Sequence, residues 1–103
     1  MYRQRIHFFP KTMDGYVALI TAADEYNKLA ADKGLAQGSS WMPTVGENEL
    51  VWEIEYPDLA AFERESKGMY ADPDWMALMT KVQAIEFSRP PYNELLEPAL
   101  SFA

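Results

Sequence analysis

The alternation of apolar and polar residues along this chain predicts the same order of elements twice. A strand, a helix and a second strand occupy residues 2–45, and the same order returns in residues 50–89. Neighbouring side chains of a strand point to opposite faces, whereas apolar residues spaced three or four apart share one face of a helix. The doubled βαβ order therefore predicts an α+β fold with a four-stranded antiparallel sheet and both helices on one face.

The strands are predicted over residues 2–9, 36–45, 49–56 and 85–89. The third is the clearest, because Leu50, Trp52 and Ile54 alternate with Val51, Glu53 and Glu55. In a βαββαβ sheet the usual strand order is 4-1-3-2, which places the first and third strands at the centre. Pro90 and Pro91 stop the last strand, and a tail with an apolar stretch runs from Tyr92 to Ala103.

The helix boundaries are marked by capping residues. Asp14 is the expected N-cap of the first helix, which runs to about Lys33 and ends at Gly34. The second helical region opens at Asp58 and is interrupted at residues 70–74. It restarts where Asp72 can act as a cap with Pro73 in the first helical position.

One face of the predicted sheet has no helix to cover it. It would present a mixed set of side chains, mainly charged or polar with the apolar Val51 among them, namely Arg3, Arg5, His7, Val51, Glu53, Glu55, Glu86 and Ser88. In one interpretation this face is solvated, and its cross-strand charge pairs contribute ~0–1 kcal/mol each. In the other, which we favour, two such faces close on each other in a homodimer, since two-fold pairing is the commonest assembly. The apolar tail supports the second interpretation.

Composition restricts the possible partners and the compartment. The 103 residues fit one domain that spans the whole chain, residues 1–103. The formal net charge of −7 argues against nucleic acid and anionic membranes as partners. There is no cysteine, no signal-peptide pattern and no run of 18 apolar residues, so we expect a soluble, cytoplasmic protein.

The chain resembles the dimeric α+β barrel superfamily, whose ferredoxin-like βαββαβ domains pair through their sheets, and more narrowly its NIPSNAP-like members. The resemblance rests on residues 49–57, which lead into the capped helix at 58–63, and on the "D-P-x-W" restart at Asp72-Pro73-Asp74-Trp75. It implies a homodimer. It leaves the activity open, because the superfamily contains monooxygenases, heme-degrading enzymes, isomerases, cyclases and proteins of no known activity.

The candidate catalytic residues lie on the uncovered face. His7 is the only histidine, and a neighbouring carboxylate could tune it as a general acid or base. Arg5 and Glu53 are its expected helpers. The alternative is that His7 is satisfied within a dimer interface and that Glu53 and Glu55 only pair with Arg3 and Arg5.

Aromatic residues are the candidate ligand-binding groups. A pocket between the helices and the sheet, or inside the barrel, would take a hydrophobic and aromatic molecule. Side chains at helical spacing are also what a packed core requires, so that interpretation stays open. The expected substrate-binding residues are Trp41, Glu55, Phe62, Tyr70 and Trp75.

The function predicted from these observations is that of a small enzyme without a cofactor, of the monooxygenase, cyclase or isomerase kind. It would transfer a proton on a hydrophobic small molecule. No histidine occurs between residues 57 and 85, where heme-degrading relatives carry their axial ligand, so we expect neither heme nor a metal. The alternatives are a non-catalytic ligand-binding or accessory homodimer, and a structural dimer with no pocket.

Overall fold

A computed structural model describes residues 1–99 as an α+β domain with an antiparallel four-stranded sheet. The strands are β1 (Tyr2–Phe8), β2 (Gly38–Trp41), β3 (Leu50–Tyr56) and β4 (Tyr92–Leu96), in the order β2-β3-β1-β4. The helices are α1 (Met13–Lys33), α2 (Leu59–Tyr70) and α3 (Pro73–Gln83). The predicted fold class and the central position of the first and third strands are confirmed.

The first helix begins earlier than predicted, because Thr12 and not Asp14 is its N-cap. Thr12 is extended and its hydroxyl accepts a hydrogen bond from the Gly15 amide, which satisfies one free amide of the first turn. Asp14 lies inside that turn, where its negative charge favours the helix dipole. The C-terminal prediction is confirmed: Gly34 closes the helix in the left-handed conformation, at φ 69°.

The second helical region is divided as the sequence predicts. Asp58 caps α2 by accepting from the Ala61 amide at 2.7 Å. Asp72 caps α3 by accepting from the Asp74 amide at 2.9 Å, and Pro73 occupies the first helical position.

The fourth strand lies beyond the predicted one, so the prediction for residues 85–89 is wrong. Within that segment only Phe87 forms a bridge, to Pro10, and the Ser88 amide donates to the Phe9 carbonyl. The segment lies beside residues 9–11, just past the end of β1. Pro10 has no amide there to extend the ladder of hydrogen bonds. Glu86 and Ser88 therefore do not lie on the uncovered face as β-strand residues.

The true fourth strand, β4, comes from the segment predicted as a tail. It pairs antiparallel with β1, which places Tyr92 opposite His7 and Glu94 opposite Arg5. Residues 100–103 of the predicted tail lie outside the described part of the chain. The second strand is also shorter than residues 36–45, since regular pairing stops at Trp41, before Pro43.

The core lies between the sheet and the helices and has two parts. One contains Trp52, Ile54, Tyr56 and Ala61, and the other contains Ala22, Ala30, Trp75 and Leu78. Tyr26 joins them, because its ring packs against Trp52 with centroids 5.2 Å apart and against Trp75 at 4.5 Å. Within residues 1–99, no helix has the length and apolar content needed to cross a lipid bilayer.

Candidate functional site

A cleft of about 530 Å³ opens between the helices and the sheet. Its floor includes Ile6 and Trp52 from the two central strands, and its walls include Leu19 of α1 and Met79 of α3. This volume lies within the range of typical small-molecule sites, which are mainly apolar with a few placed polar groups.

Side-chain size explains why the helices leave this space open. The residues that α1 turns toward the cleft include Ala22 and Ala23, which are too small to reach the opposite wall. The facing wall carries Met69, Met76 and Met79, whose unbranched side chains adapt to ligands of different shape. Met76 and Met79 are 45% and 47% exposed, so the cleft is open to solvent on the α3 side.

The polar groups of the cleft are neutral. They include the amides of Gln4 and Asn93 and the phenol of Tyr26. Burial is the main cause that raises the pKa of Tyr26, and the proximity of Tyr56 and Glu65 raises it further. Among residues 1–99, none of the lining side chains is an acid, a lysine, an arginine or a histidine. The cleft therefore favours an uncharged ligand.

His7 lies on the other face of the sheet, between two carboxylates. Glu49 Oε1 is 2.6 Å from its Nδ1, and Glu94 Oε1 contacts its Nε2. The Tyr92 ring stacks on the imidazole with centroids 4.3 Å apart. Only 13% of the His7 side chain is exposed, so the ring is held firmly and both of its nitrogens are engaged.

The two arginines of β1 pair with the glutamates of β3. Arg5 Nε donates to Glu53 Oε2 at 2.8 Å, and Arg3 contacts both Glu53 and Glu55. The antiparallel register places Arg5 directly opposite Glu53 and Arg3 opposite Glu55. The predicted charge ladder on the uncovered face is present in the structure.

The structure brings His7, Arg5 and Glu53 to one face, although Arg5 and Glu53 contact each other and not the imidazole. This face and the cleft lie on opposite sides of the sheet. Glu49 and Glu94, the actual partners of His7, were missed by sequence reasoning because Glu94 belongs to the misplaced fourth strand.

The residues predicted to bind substrate are dispersed. Tyr70 lines the cleft and is 80% exposed, while Trp75 is only 2% exposed and packs in the core behind Tyr26. Phe62 packs edge-on against Tyr56, and Glu55 lies on the uncovered face beside Arg3. Trp41 is 60% exposed on the edge strand β2.

Sequence reasoning missed the amide groups that line the cleft. Gln4 could have been identified from the sequence, because it is a polar residue on the strand face that otherwise carries the apolar Ile6 and Phe8. Asn93 could not have been identified in this way, because it lies in β4, which follows Pro90 and Pro91 and was predicted as a tail. Met76 and Met79 follow the helical spacing of core residues, and only the structure shows them at an opening.

No group of three or more His, Asp or Glu side chains within residues 1–99 is arranged to hold a metal ion. The carboxylates nearest to His7 approach it one on each side of the ring, where they bind its two nitrogens. On the described part of the uncovered face, the arginine and histidine side chains are therefore paired with glutamates of the same chain.

Comparison with known proteins gives a family and a set of structural neighbours. The family model of NIPSNAP matches residues 9–101. No curated protein shows significant similarity to the chain.

Three solved structures show the same fold. A NIPSNAP domain protein from Burkholderia xenovorans is 19% identical with a TM-score of 0.76, over 96% of this chain and 95% of that one. A NIPSNAP family protein from Agrobacterium tumefaciens is 15% identical with a TM-score of 0.70, over 95% and 92%. An antibiotic biosynthesis monooxygenase is 16% identical with a TM-score of 0.71, over 97% and 100%. At these identities the likeness concerns the fold.

Proposed function

The chain belongs to the NIPSNAP family, and from its cleft we propose that it is a small-molecule enzyme without a resident cofactor, of the monooxygenase, cyclase or isomerase kind. Its substrate is hydrophobic and aromatic, and it binds in the cleft between the helices and the sheet. The cleft itself carries this proposal: about 530 Å³ lined mainly by apolar side chains, with Trp52 on its floor and Tyr26 on its wall.

The neutral lining defines what the cleft can contribute to a reaction. It holds no strong base among the described residues, so a substrate bound there must supply much of its own reactivity. The protein would contribute binding, a fixed orientation and partial exclusion of water.

Proton transfer by His7, assisted by Arg5 and Glu53, is an alternative location for the chemistry within this proposal, because it needs a substrate on the uncovered face and not in the cleft. A second copy of the chain that closed over this face would provide the missing wall. We accordingly propose a homodimer formed through the uncovered face. Its charges are already paired within each copy, so burying them would leave few without a partner.

The second candidate is a non-catalytic ligand-binding or accessory homodimer. One observation favours it: both nitrogens of His7 are engaged by carboxylates, and the imidazole lies on the sheet face opposite to the cleft. This candidate shares the ligand site with the first and differs from it in having no turnover.

The cleft is tested with a neutral aromatic ketone, 2-acetylnaphthalene, by isothermal titration calorimetry. We expect the wild-type chain to bind it and Ala23→Phe to lose binding, because the added ring would fill the cleft. Ala31→Phe places the same ring on the exposed side of the same helix and should bind like wild type. Absence of wild-type binding up to the solubility limit would refute the proposed site.

Catalysis is tested separately from binding. The chain is incubated with a panel of bicyclic phenols and ketones, and product formation is followed by mass spectrometry. Turnover that His7→Gln abolishes would place the histidine in the reaction. Turnover that survives this change would confine the chemistry to the cleft, and binding without any turnover would favour the accessory homodimer.

A further inference from the structure

The wall of the cleft contains a pair of amides in a position that the strand pattern reserves for apolar residues. Gln4 lies on the same face of β1 as Ile6 and Phe8, and Asn93 of β4 is the neighbour of Ile6 across the strands. Gln4 Nε2 donates to Asn93 Oδ1 at 3.0 Å. Gln4 is half-buried and Asn93 is exposed, so the pair lies where the apolar space of the cleft meets solvent.

The pair is the end of a short hydrogen-bonded chain that starts at the buried Tyr56 in the core. The Tyr56 hydroxyl lies 3.5 Å from Gln4 Oε1 and donates to it. Each group thus accepts from the one before it, and this order sets the orientation of both amides.

The order leaves donors at the open end. The single oxygen of the Asn93 amide accepts from Gln4, and its nitrogen makes no hydrogen bond to residues 1–99. Gln4 Nε2 uses one of its two hydrogens for Asn93 and keeps the other. Two amide nitrogens therefore present N–H groups beside the apolar space.

We propose that Gln4 and Asn93 determine substrate specificity by donating hydrogen bonds to a neutral oxygen, a ketone or quinone carbonyl, on an aromatic ligand in the cleft. This inference rests on the proposed ligand site. The apolar lining holds the ring system, and the amides fix which edge of it faces the sheet. A carboxylate is a poor ligand, because the described lining carries no cation and the chain has a net charge of −7.

The test compares two ligands that differ only at one oxygen. 2-Acetylnaphthalene carries a carbonyl where 2-ethylnaphthalene carries a methylene group, and both are neutral. Their dissociation constants are measured with wild type, Gln4→Leu and Asn93→Leu. Gln37→Leu makes the same amide-to-leucine change at an exposed residue outside the cleft.

We expect wild type and Gln37→Leu to bind the ketone about three- to tenfold more tightly than the hydrocarbon, the range that one or two net hydrogen bonds supply. In Gln4→Leu and Asn93→Leu this preference should fall to about one- to threefold while hydrocarbon binding persists, because each variant keeps at most one of the two amide donors. Circular dichroism checks that each variant is folded, and the retained hydrocarbon binding shows that the cleft is intact.

The remaining outcomes separate the two proposals. Equal binding of both ligands by wild type would overturn the role of the amides and leave the ligand site standing. A ketone preference that persists undiminished in both leucine variants would also overturn it. If wild type binds neither ligand, the proposed site fails and the specificity inference fails with it.

Discussion

Trp75 and Trp41 occupy opposite environments, although the sequence nominated both as ligand-binding residues. Trp75 is 2% exposed and packs against Tyr26, whereas Trp41 is 60% exposed on an edge strand. A tryptophan at helical spacing serves the core when the opposite helix supplies a partner, and here α1 supplies Tyr26. Neither pattern nor composition reveals which tryptophan has that partner.

The two tryptophans should differ strongly in their contribution to stability. We expect Trp75→Ala to lower the free energy of unfolding by about 3–5 kcal/mol, because it empties a buried site. Trp41→Ala should change it by less than about 0.5 kcal/mol. Urea denaturation followed by circular dichroism measures both, and similar losses in the two variants would contradict the packing described for Trp75.

At the scale of elements, the residues that begin and end helices were predicted most accurately. Asp58, Asp72, Pro73 and Gly34 act where the sequence placed them, because each satisfies or relieves only its neighbouring backbone. The first cap was misplaced by two residues, since Thr12 and Asp14 can both accept from a first-turn amide. The extended conformation of Thr12, which follows from the path of the chain out of β1, decides between them.

Gly38 and Gly68 provide a matched pair within these elements. A Cβ at Gly38 would lie 2.3 Å from the indole of Trp52, so Gly38→Ala should lower the free energy of unfolding by about 1–3 kcal/mol. Gly68→Ala meets nothing within 4 Å inside α2 and should raise it by about 0.5–1 kcal/mol. Thermal unfolding of both variants gives the two signs, and a stabilising Gly38→Ala would contradict the contact between β2 and Trp52.

An ion pair joins the end of α1 to the start of α3. Lys33 Nζ lies 2.9 Å from Asp72 Oδ2, and this hydrogen bond is the main cause that lowers the pKa of Asp72. A carboxyl whose pKa is lower in the folded state stabilises the fold above its unfolded value of 3.8 and loses that effect as the pH falls.

Asp72→Asn keeps a capping side chain and removes the charge. We expect the variant to be less stable than wild type at pH 7, and the difference to shrink as the pH falls below about 4. Denaturation at a series of pH values measures it. A difference that stays constant down to pH 2 would mean that the charge of Asp72 does not stabilise the fold.

At the scale of the whole molecule, the sheet separates two surfaces of different chemistry. The helix side carries the apolar cleft, and the uncovered side carries the paired charges around Arg5, Glu53 and His7. The first surface suits a small ligand. The second suits a second copy of the chain, which would meet a face whose polar groups are already satisfied.

The proposed homodimer predicts how the chain sediments. We expect wild type to sediment as a dimer at micromolar concentration and Arg5→Glu to sediment as a folded monomer, because the new carboxylate beside Glu53 would leave unpaired negative charge on the face that each copy must bury. Lys28→Glu reverses the same charge on the exposed side of α1 and should remain dimeric. A monomeric wild type would contradict assembly through this face.

The candidate site was foreseen only where it depended on alternation along a strand. The cross-strand pairs Arg5–Glu53 and Arg3–Glu55 follow from strands of period two once β1 and β3 are neighbours. The partners of His7 did not follow, because Glu94 reaches it from a strand that lies beyond Pro90 and Pro91. Two adjacent prolines show where strand hydrogen bonding stops, but they do not predict where it begins again.

The sequence by itself determined the fold class and the caps at Gly34, Asp58 and Asp72, because these depend on periodicity and on backbone groups close along the chain. Only the tertiary structure decided which segment completes the sheet and that the cleft and His7 lie on opposite sides of it. Those features depend on contacts between distant residues, such as Gln4 with Asn93 and His7 with Glu94. The pattern of residues within one segment does not predict such contacts.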